Sequence, residues 1–190
     1  MPTTIAHRLT ATALIACGIA ATACACSSSH PTPTPAASTT ARTAAASTTR
    51  STTASTASAQ ALTAYQAMWK DVAEASNTSD YQAAYLNDHL SGKALLTITN
   101  NLAAEKKQGI VAHGAPVLHP VIASTTATNV AISDCLDDRT WLQVYASTGK
   151  PVDDIPGGFR STISTVADIG GTWKVTQLDT GAEGTCKLGQ

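Results

Sequence analysis

The chain has 190 residues with 12 Lys and Arg against 13 Asp and Glu, a formal net charge of −1, and only 4% aromatic residues. Charge is unevenly divided: residues 1–58 hold Arg8, Arg42 and Arg50 and no acid, whereas residues 59–190 hold nine Lys and Arg against thirteen Asp and Glu. Phosphate recognition needs clustered Lys and Arg, and in the acidic part only Lys106 and Lys107 are adjacent, so nucleic acid is excluded as the partner.

The first element is an export signal. Residues 1–10 are short and polar and carry Arg8, and residues 11–21 (ATALIACGIAA) form an uncharged apolar run that ends in small residues. Such a run is too short to cross a bilayer, which takes about 20 apolar residues; residues 1–23 are therefore read as a removable signal peptide. Ala21-Thr22-Ala23 and Ala23-Cys24-Ala25 both satisfy the small-x-small rule for plain cleavage, and each is followed directly by cysteine. That pattern resembles the lipobox of bacterial lipoproteins, in which the cysteine becomes the new N-terminus and its thiol receives a diacylglyceryl group. The resemblance implies lipidation at Cys24, with Cys26 as the alternative, and an anchor on the outer side of the cell membrane. Ala21 departs from the leucine that the family prefers, and plain secretion is the alternative route.

Composition changes after Cys26. Residues 27–58 are Ser, Thr, Ala and Pro, interrupted only by His30, Arg42 and Arg50, and they open on Pro31-Thr32-Pro33-Thr34-Pro35. A tract of this kind cannot bury enough apolar surface to offset its chain entropy. Residues 24–58 are expected to be a disordered tether, with a mean span of roughly 30 Å if flexible, and its Thr- and Pro-rich composition suits O-glycosylation.

Residues 59–190 are then one domain. Leu62, Tyr65, Trp69 and Val72 recur at helical spacing with Gln66, Lys70, Asp71 and Glu74 between them, which predicts an amphipathic helix from a Ser58 cap to Asn77-Thr78-Ser79. A short second helix is expected from Asp80 through Tyr81, Ala84 and Tyr85. A third carries Leu95, Ile98 and Leu102 from a Ser91 cap to Gly109, a favoured residue just past a helix end. From Ile110 onward, β-branched segments alternate with turn residues, and strands are expected at 116–123, 129–136, 140–147, 159–169 and 172–178. Gly170-Gly171 reads as a two-residue hairpin turn, and Pro120 belongs at an edge or a bulge. The fold class is α+β, with N-terminal helices packed on a curved antiparallel β-sheet.

That order of elements, Gly114-Ala115-Pro116 before the first long strand and the closing D-I-G-G-T-W-K-V of residues 168–175 resemble the nuclear transport factor 2-like superfamily. This is the cone-shaped, cystatin-like α+β fold shared with ketosteroid isomerases and scytalone dehydratases. The signal, the tether, S-D-C-L-D-D at residues 133–138, Pro156-Gly157-Gly158 and Gly184-Thr185-Cys186 are similar to secreted or lipid-anchored proteins of high-GC Gram-positive bacteria. The resemblance covers residues 59–186 and implies a fold and a cone pocket; a common fold hosts unrelated functions. In the isomerases and dehydratases, an inward Asp or Asp–His pair works beside Tyr donors. Such chemistry needs a carboxylate in an apolar pocket next to a donor for the developing oxyanion. Tyr65, Tyr81 and Tyr85 are available as donors, yet every Asp after Gly109 falls in or beside an expected turn except Asp168, which lies close to the Gly-Gly hairpin. No catalytic residue is therefore assigned.

The remaining polar residues carry no metal pattern. Asp134, Asp137 and Asp138 surround Cys135 and Asp153-Asp154 follow, but the spacing lacks the D-x-D-x-D-G calcium loop and reads as a solvated acidic turn. His89, His113 and His119 are scattered, with no H-E-x-x-H spacing and no zinc-type cysteine pair. No metal and no cofactor is expected. Cys135 and Cys186 are the only cysteines of the folded part, and in an oxidising compartment they should form a disulfide. Tyr65, Trp69 and Tyr85 are the candidates for lining a ligand pocket on the concave side of the sheet, because aromatic side chains supply much of the contact area in such pockets; the competing reading, favoured by the helical spacing of Tyr65 and Trp69, is that they fill the core. The expected function is a cell-envelope lipoprotein with a non-catalytic binding or accessory domain, whose partner is an envelope protein or a small apolar ligand. The alternative is a small isomerase or dehydratase acting on an apolar substrate in the cone.

Overall fold

A computed structural model describes residues 42–189, with side chains from Thr52 onward. The expected signal peptide, Cys24, Cys26 and the first part of the expected tether lie outside the described residues.

Helix α1 spans Arg42–Ser76, so it begins well before the expected Ser58 cap and takes up the second half of the stretch read as disordered tether. Its sequence contains neither Gly nor Pro and is rich in Ala, the best helix former. Ser and Thr hydroxyls, which otherwise compete with the helix, are satisfied one turn back: Thr56 Oγ1 donates to the Thr52 carbonyl at 3.1 Å, and Thr63 Oγ1 to the Ala59 carbonyl at 3.0 Å. Ala57 and Ala61 are already core residues. Ser58 caps nothing; its Oγ lies 2.7 Å from Thr125 Oγ1.

The helix ends where the sequence indicates. Ser79 then adopts φ +49° and its buried hydroxyl donates to the Ile110 carbonyl at 2.5 Å, while the Asp80 carboxylate accepts the Gln82 N–H at 3.1 Å. These contacts hold residues 80–85 in turns, and the second helix, α2, forms only at Leu86–His89. Helix α3 covers Gly92–Gln108, buries Ala94, Ile98 and Leu102, and stops at Gly109 as expected.

Six strands follow: β1 Ile110–Gly114, β2 Pro120–Thr125, β3 Asn129–Asp137, β4 Trp141–Tyr145, β5 Phe159–Ile169 and β6 Thr172–Glu183. They form a four-stranded antiparallel sheet in the order β2-β3-β5-β6 and a separate β1–β4 ribbon. The strand expected at 116–123 thus forms only from Pro120 onward, and an additional strand, β1, precedes it. β1 precedes the Gly114-Ala115-Pro116 break, Val117 makes only an isolated bridge to Asp137, and β2 starts at Pro120. β4 leaves the meander to pair with β1, so β3 pairs directly with β5. Gly114 allows this: it has φ +92°, and a Cβ there would stand 1.9 Å from the Thr140 carbonyl oxygen.

β2 is an edge strand with Pro120 at its first position and an irregularity between Ile122 and Ser124, which accommodates a residue unable to donate to a ladder. The β5–β6 turn is Gly170-Gly171 with φ +63° and +89°, the paired positive values of a type I′ hairpin. The outer edge of β6 is covered midway, where Leu90 bridges Val175 and the Ser91 N–H donates to the Val175 carbonyl at 3.0 Å. The helices lie on one face of the sheet, where Val130, Ile132, Leu136, Val166, Trp173, Val175 and Leu178 form one core with Tyr65, Met68, Val72, Leu86, Ile98 and Leu102. The class is α+β, as expected.

Candidate functional site

Alternation along β3 directs Val130, Ile132, Asp134 and Leu136 to the helix side, and all four are buried. Asp134 is the residue that sequence reasoning misplaced. It stands within the strand, not at a turn, and is 4% exposed. From α1, the fully buried Tyr65 (0% exposed) donates its hydroxyl to Asp134 Oδ2 at 2.9 Å. The His119 backbone N–H donates to Oδ1 at 2.7 Å, and the His119 ring is set by its Nδ1, 3.1 Å from the Cys135 carbonyl. Burial, and after it the Asp134 charge, pushes the Tyr65 phenol far above the ordinary tyrosine range, so it stays a donor. Thr162 faces Asp134 across the ladder and is buried with its hydroxyl unpaired; the Trp141 indole N–H is likewise without a protein partner. The Trp69 ring sits edge-on between Tyr65 at 6.4 Å and Trp141 at 5.9 Å.

A carboxylate beside a phenolic donor is the pairing that proton abstraction next to a carbonyl requires. Here both Asp134 oxygens already accept bonds from the protein, and the Tyr65 and Trp69 rings are buried beside it. Tyr65 and Trp69, expected at a pocket wall, are core residues at 0% and 5% exposure: their one-turn spacing put them on the buried stripe of α1. Tyr85 lies at the margin of the core, half-buried. Its hydroxyl is pushed up by burial and then by the Glu74, Asp80 and Asp71 carboxylates.

The acidic group around Cys135 is not a solvated turn. Arg139 grips Asp137 through Nε at 2.8 Å and Nη2 at 2.6 Å and lies 4.7 Å over the Phe159 ring. These bonds hold the Asp137 carboxyl at about 2. Asp138 accepts from Arg160 Nε and from the Gly158 N–H at 2.6 Å, which fastens the β3–β4 turn to the loop before β5. Behind this latch, Cys135 and Cys186 form the expected disulfide, Cα–Cα 5.8 Å. It ties the segment after β6 to the sheet face opposite Asp134, and the Ser161 N–H donates to Thr185 Oγ1 at 2.9 Å beside it. Among the described residues no three His, Cys, Asp or Glu side chains are grouped to hold a metal. His89 pairs with Asp71, Nδ1 to Oδ2 2.7 Å; His113 is exposed.

Open space lies elsewhere. A groove of about 350 Å³ runs between the end of α1 (Asn77, Thr78), the last turn of α3 (Lys106) and the β1–β4 ribbon (Val111, His113, Val144, Tyr145). None of the residues singled out for a pocket lines it. It is assembled from the ends of four elements, so no local pattern announces it. Among the described residues no helix is long and apolar enough to cross a membrane.

No family model and no curated protein matches this chain. Among solved structures, the chain is similar to the intermembrane space region of the chloroplast protein ARC6, at 20% identity over 64% of this chain and 93% of that one, TM-score 0.42. It is also similar to a putative scytalone dehydratase from Novosphingobium aromaticivorans DSM 12444, at 13% identity over 63% of this chain and 81% of that one, TM-score 0.38. Likenesses this distant carry no activity to the present chain.

Proposed function

We propose that this chain is an exported cell-envelope protein, lipid-anchored at Cys24 on the outer side of the membrane, whose folded domain binds or assists another envelope component without catalysing a reaction. The observation that supports a non-catalytic domain is its interior. Tyr65, Met68 and Trp69 occupy the space between helix and sheet with at most 5% exposure, and Asp134, the acid on the helix side of β3, is bonded on both oxygens. Recognition is therefore left to the surface. A disulfide persists in oxidising compartments, and Cys135–Cys186 accords with export. Fractionation of the native host tests the anchor: the protein should sediment with membranes, and Cys24→Ser should release or mis-process it. An unmodified Cys24 in the mature chain by intact mass would overturn the anchor.

The isomerase or dehydratase reading draws on one observation, the 2.9 Å Tyr65–Asp134 contact. It requires deuterium uptake next to the carbonyl of a cyclic enone probe in D₂O, abolished by Asp134→Asn. Uptake by the wild-type chain with that dependence would replace the non-catalytic reading.

A further inference from the structure

The groove at the ends of α1 and α3 has a one-sided chemistry. Its apolar floor is Val111 and Val144, directly opposed in the β1–β4 ladder. Its polar side chains are all donor-capable: the Lys106 ammonium, the His113 imidazole, the Asn77 amide and the Thr78 and Tyr145 hydroxyls. No Asp or Glu lines it, although acids outnumber Lys and Arg thirteen to nine over residues 59–190. Glu105, next to Lys106 in sequence, is engaged elsewhere by Gln143 Nε2 at 2.8 Å. Lys106 is also held in place: Nζ donates one N–H to the Thr78 carbonyl at 3.0 Å, which fixes the ammonium at the rim and leaves two donors for a guest. Tyr145 is 41% exposed and offers a ring beside the cation.

We infer that this groove binds a carboxylate carried on a compact apolar or aromatic body. The volume, about 350 Å³, falls in the range of small-ligand sites and suits either a small organic acid or the last one or two residues of a peptide. Carboxylate recognition follows from charge complementarity. A cation and neutral donors line one groove with no acid among its lining residues, so an anion bound at the Lys106 ammonium gains a charge-assisted hydrogen bond while its apolar part covers Val111 and Val144. The inference extends the binding role proposed above to a particular surface and ligand class. It can fail by itself, because the anchor at Cys24 and the packed interior are measured separately.

The test is an NMR titration of the ¹⁵N-labelled protein in its unlipidated Cys24→Ser form with four probes: phenylacetate, phenylacetamide, N-acetyl-Ala-Phe with a free carboxylate, and the same peptide as its amide. Both acids should shift resonances at residues 77–78, 106, 111–113 and 144–146. Each should bind about tenfold more tightly than its amide, the worth of one charge-assisted bond. Tighter binding of the peptide acid assigns the site to chain ends, and tighter binding of phenylacetate assigns it to small acids. Lys106→Met, which keeps the aliphatic stem, should weaken the acids about tenfold, and Lys107→Met should change nothing. His113→Gln supplies a second variant should Lys106→Met disturb the spectrum. Equal binding of acid and amide, or shifts confined to other surfaces, would overturn the inference.

Discussion

Replacing Tyr65 by Phe removes one hydroxyl from the centre of the molecule and leaves the ring. Asp134 Oδ2 then loses its 2.9 Å partner, while Oδ1 keeps the His119 N–H. At 4% exposure the carboxylate cannot turn to bulk solvent for a substitute. Hydrogen bonds to charged groups contribute a net of about 1.5–3 kcal/mol, and stranding a buried charged acceptor lies toward the upper end. Tyr65→Phe should therefore cost about 2–3 kcal/mol in urea unfolding with the disulfide intact, read from the midpoint at unchanged slope. Asp134→Leu alone strands the Tyr65 hydroxyl. The double variant removes both partners and should be less destabilised than the sum of the two by about 1–2 kcal/mol. A Tyr65→Phe protein within about 0.5 kcal/mol of wild type, or a double variant that is simply additive, would refute a tight internal pair and with it the reading of Asp134 as a saturated core residue.

Other outcomes can be stated as firmly. Removing the Cys135–Cys186 bridge by paired Ala substitution opens a loop of sequence separation 51 and should cost about 4 kcal/mol in the chain-entropy view, measured by the same unfolding curves; an unchanged midpoint would contradict it. Asp137 is held at about 2 in the fold against about 3.9 for an unfolded aspartate. Because its folded pKa is the lower one, its contribution is fully present above about pH 4 and is lost as pH falls through about 2; Arg139→Gln should lower stability at neutral pH, with the difference from wild type shrinking as pH falls from about 4 through about 2, so that the acid limb is flatter in that window. Gly114→Ala places a Cβ 1.9 Å from the Thr140 oxygen at φ +92° and should lower the melting temperature by an amount equivalent to about 1–3 kcal/mol, whereas Gly149→Ala, with nothing within 4 Å of its Cβ, carries only the backbone part of that cost.

Legibility from sequence followed the range of the forces involved. The buried stripe of α1, the stop at Gly109 and the Gly170-Gly171 hairpin are local in origin and were readable. The start of α1 was not: Ala, Ser and Thr between Arg42 and Ser58 suit both a tether and a helix, and burial of Ala57 and Ala61, a tertiary effect, goes with the helical choice. The pairing of β4 with β1 is likewise non-local, so the expected meander hid the ribbon and, with it, the groove. Asp134 is different, because its signal was present. Val130, Ile132, Asp134 and Leu136 alternate along one strand face, and the period of two placed the acid inward; the neighbouring Asp137 and Asp138 drew it into a supposed acidic turn. Those two acids were misjudged for a further reason. Arg139 is two residues from Asp137, within reach by sequence, but Arg160 comes to Asp138 only when β5 lies beside β3.

The central claim is that the interior is closed and that recognition occurs at the surface, and the indole N–H resonances report on it most directly. The chain has three tryptophans; Trp69 is buried, and the partly buried Trp141 packs against it with ring centroids 5.9 Å apart. On saturating the ¹⁵N-labelled Cys24→Ser protein with phenylacetate, a closed interior predicts unmoved Trp69 and Trp141 indole signals while the amides around Lys106 and Tyr145 shift. Movement of the Trp69 indole signal in step with binding, together with an affinity changed by Tyr65→Phe, would place the ligand between the helices and the sheet and contradict the claim.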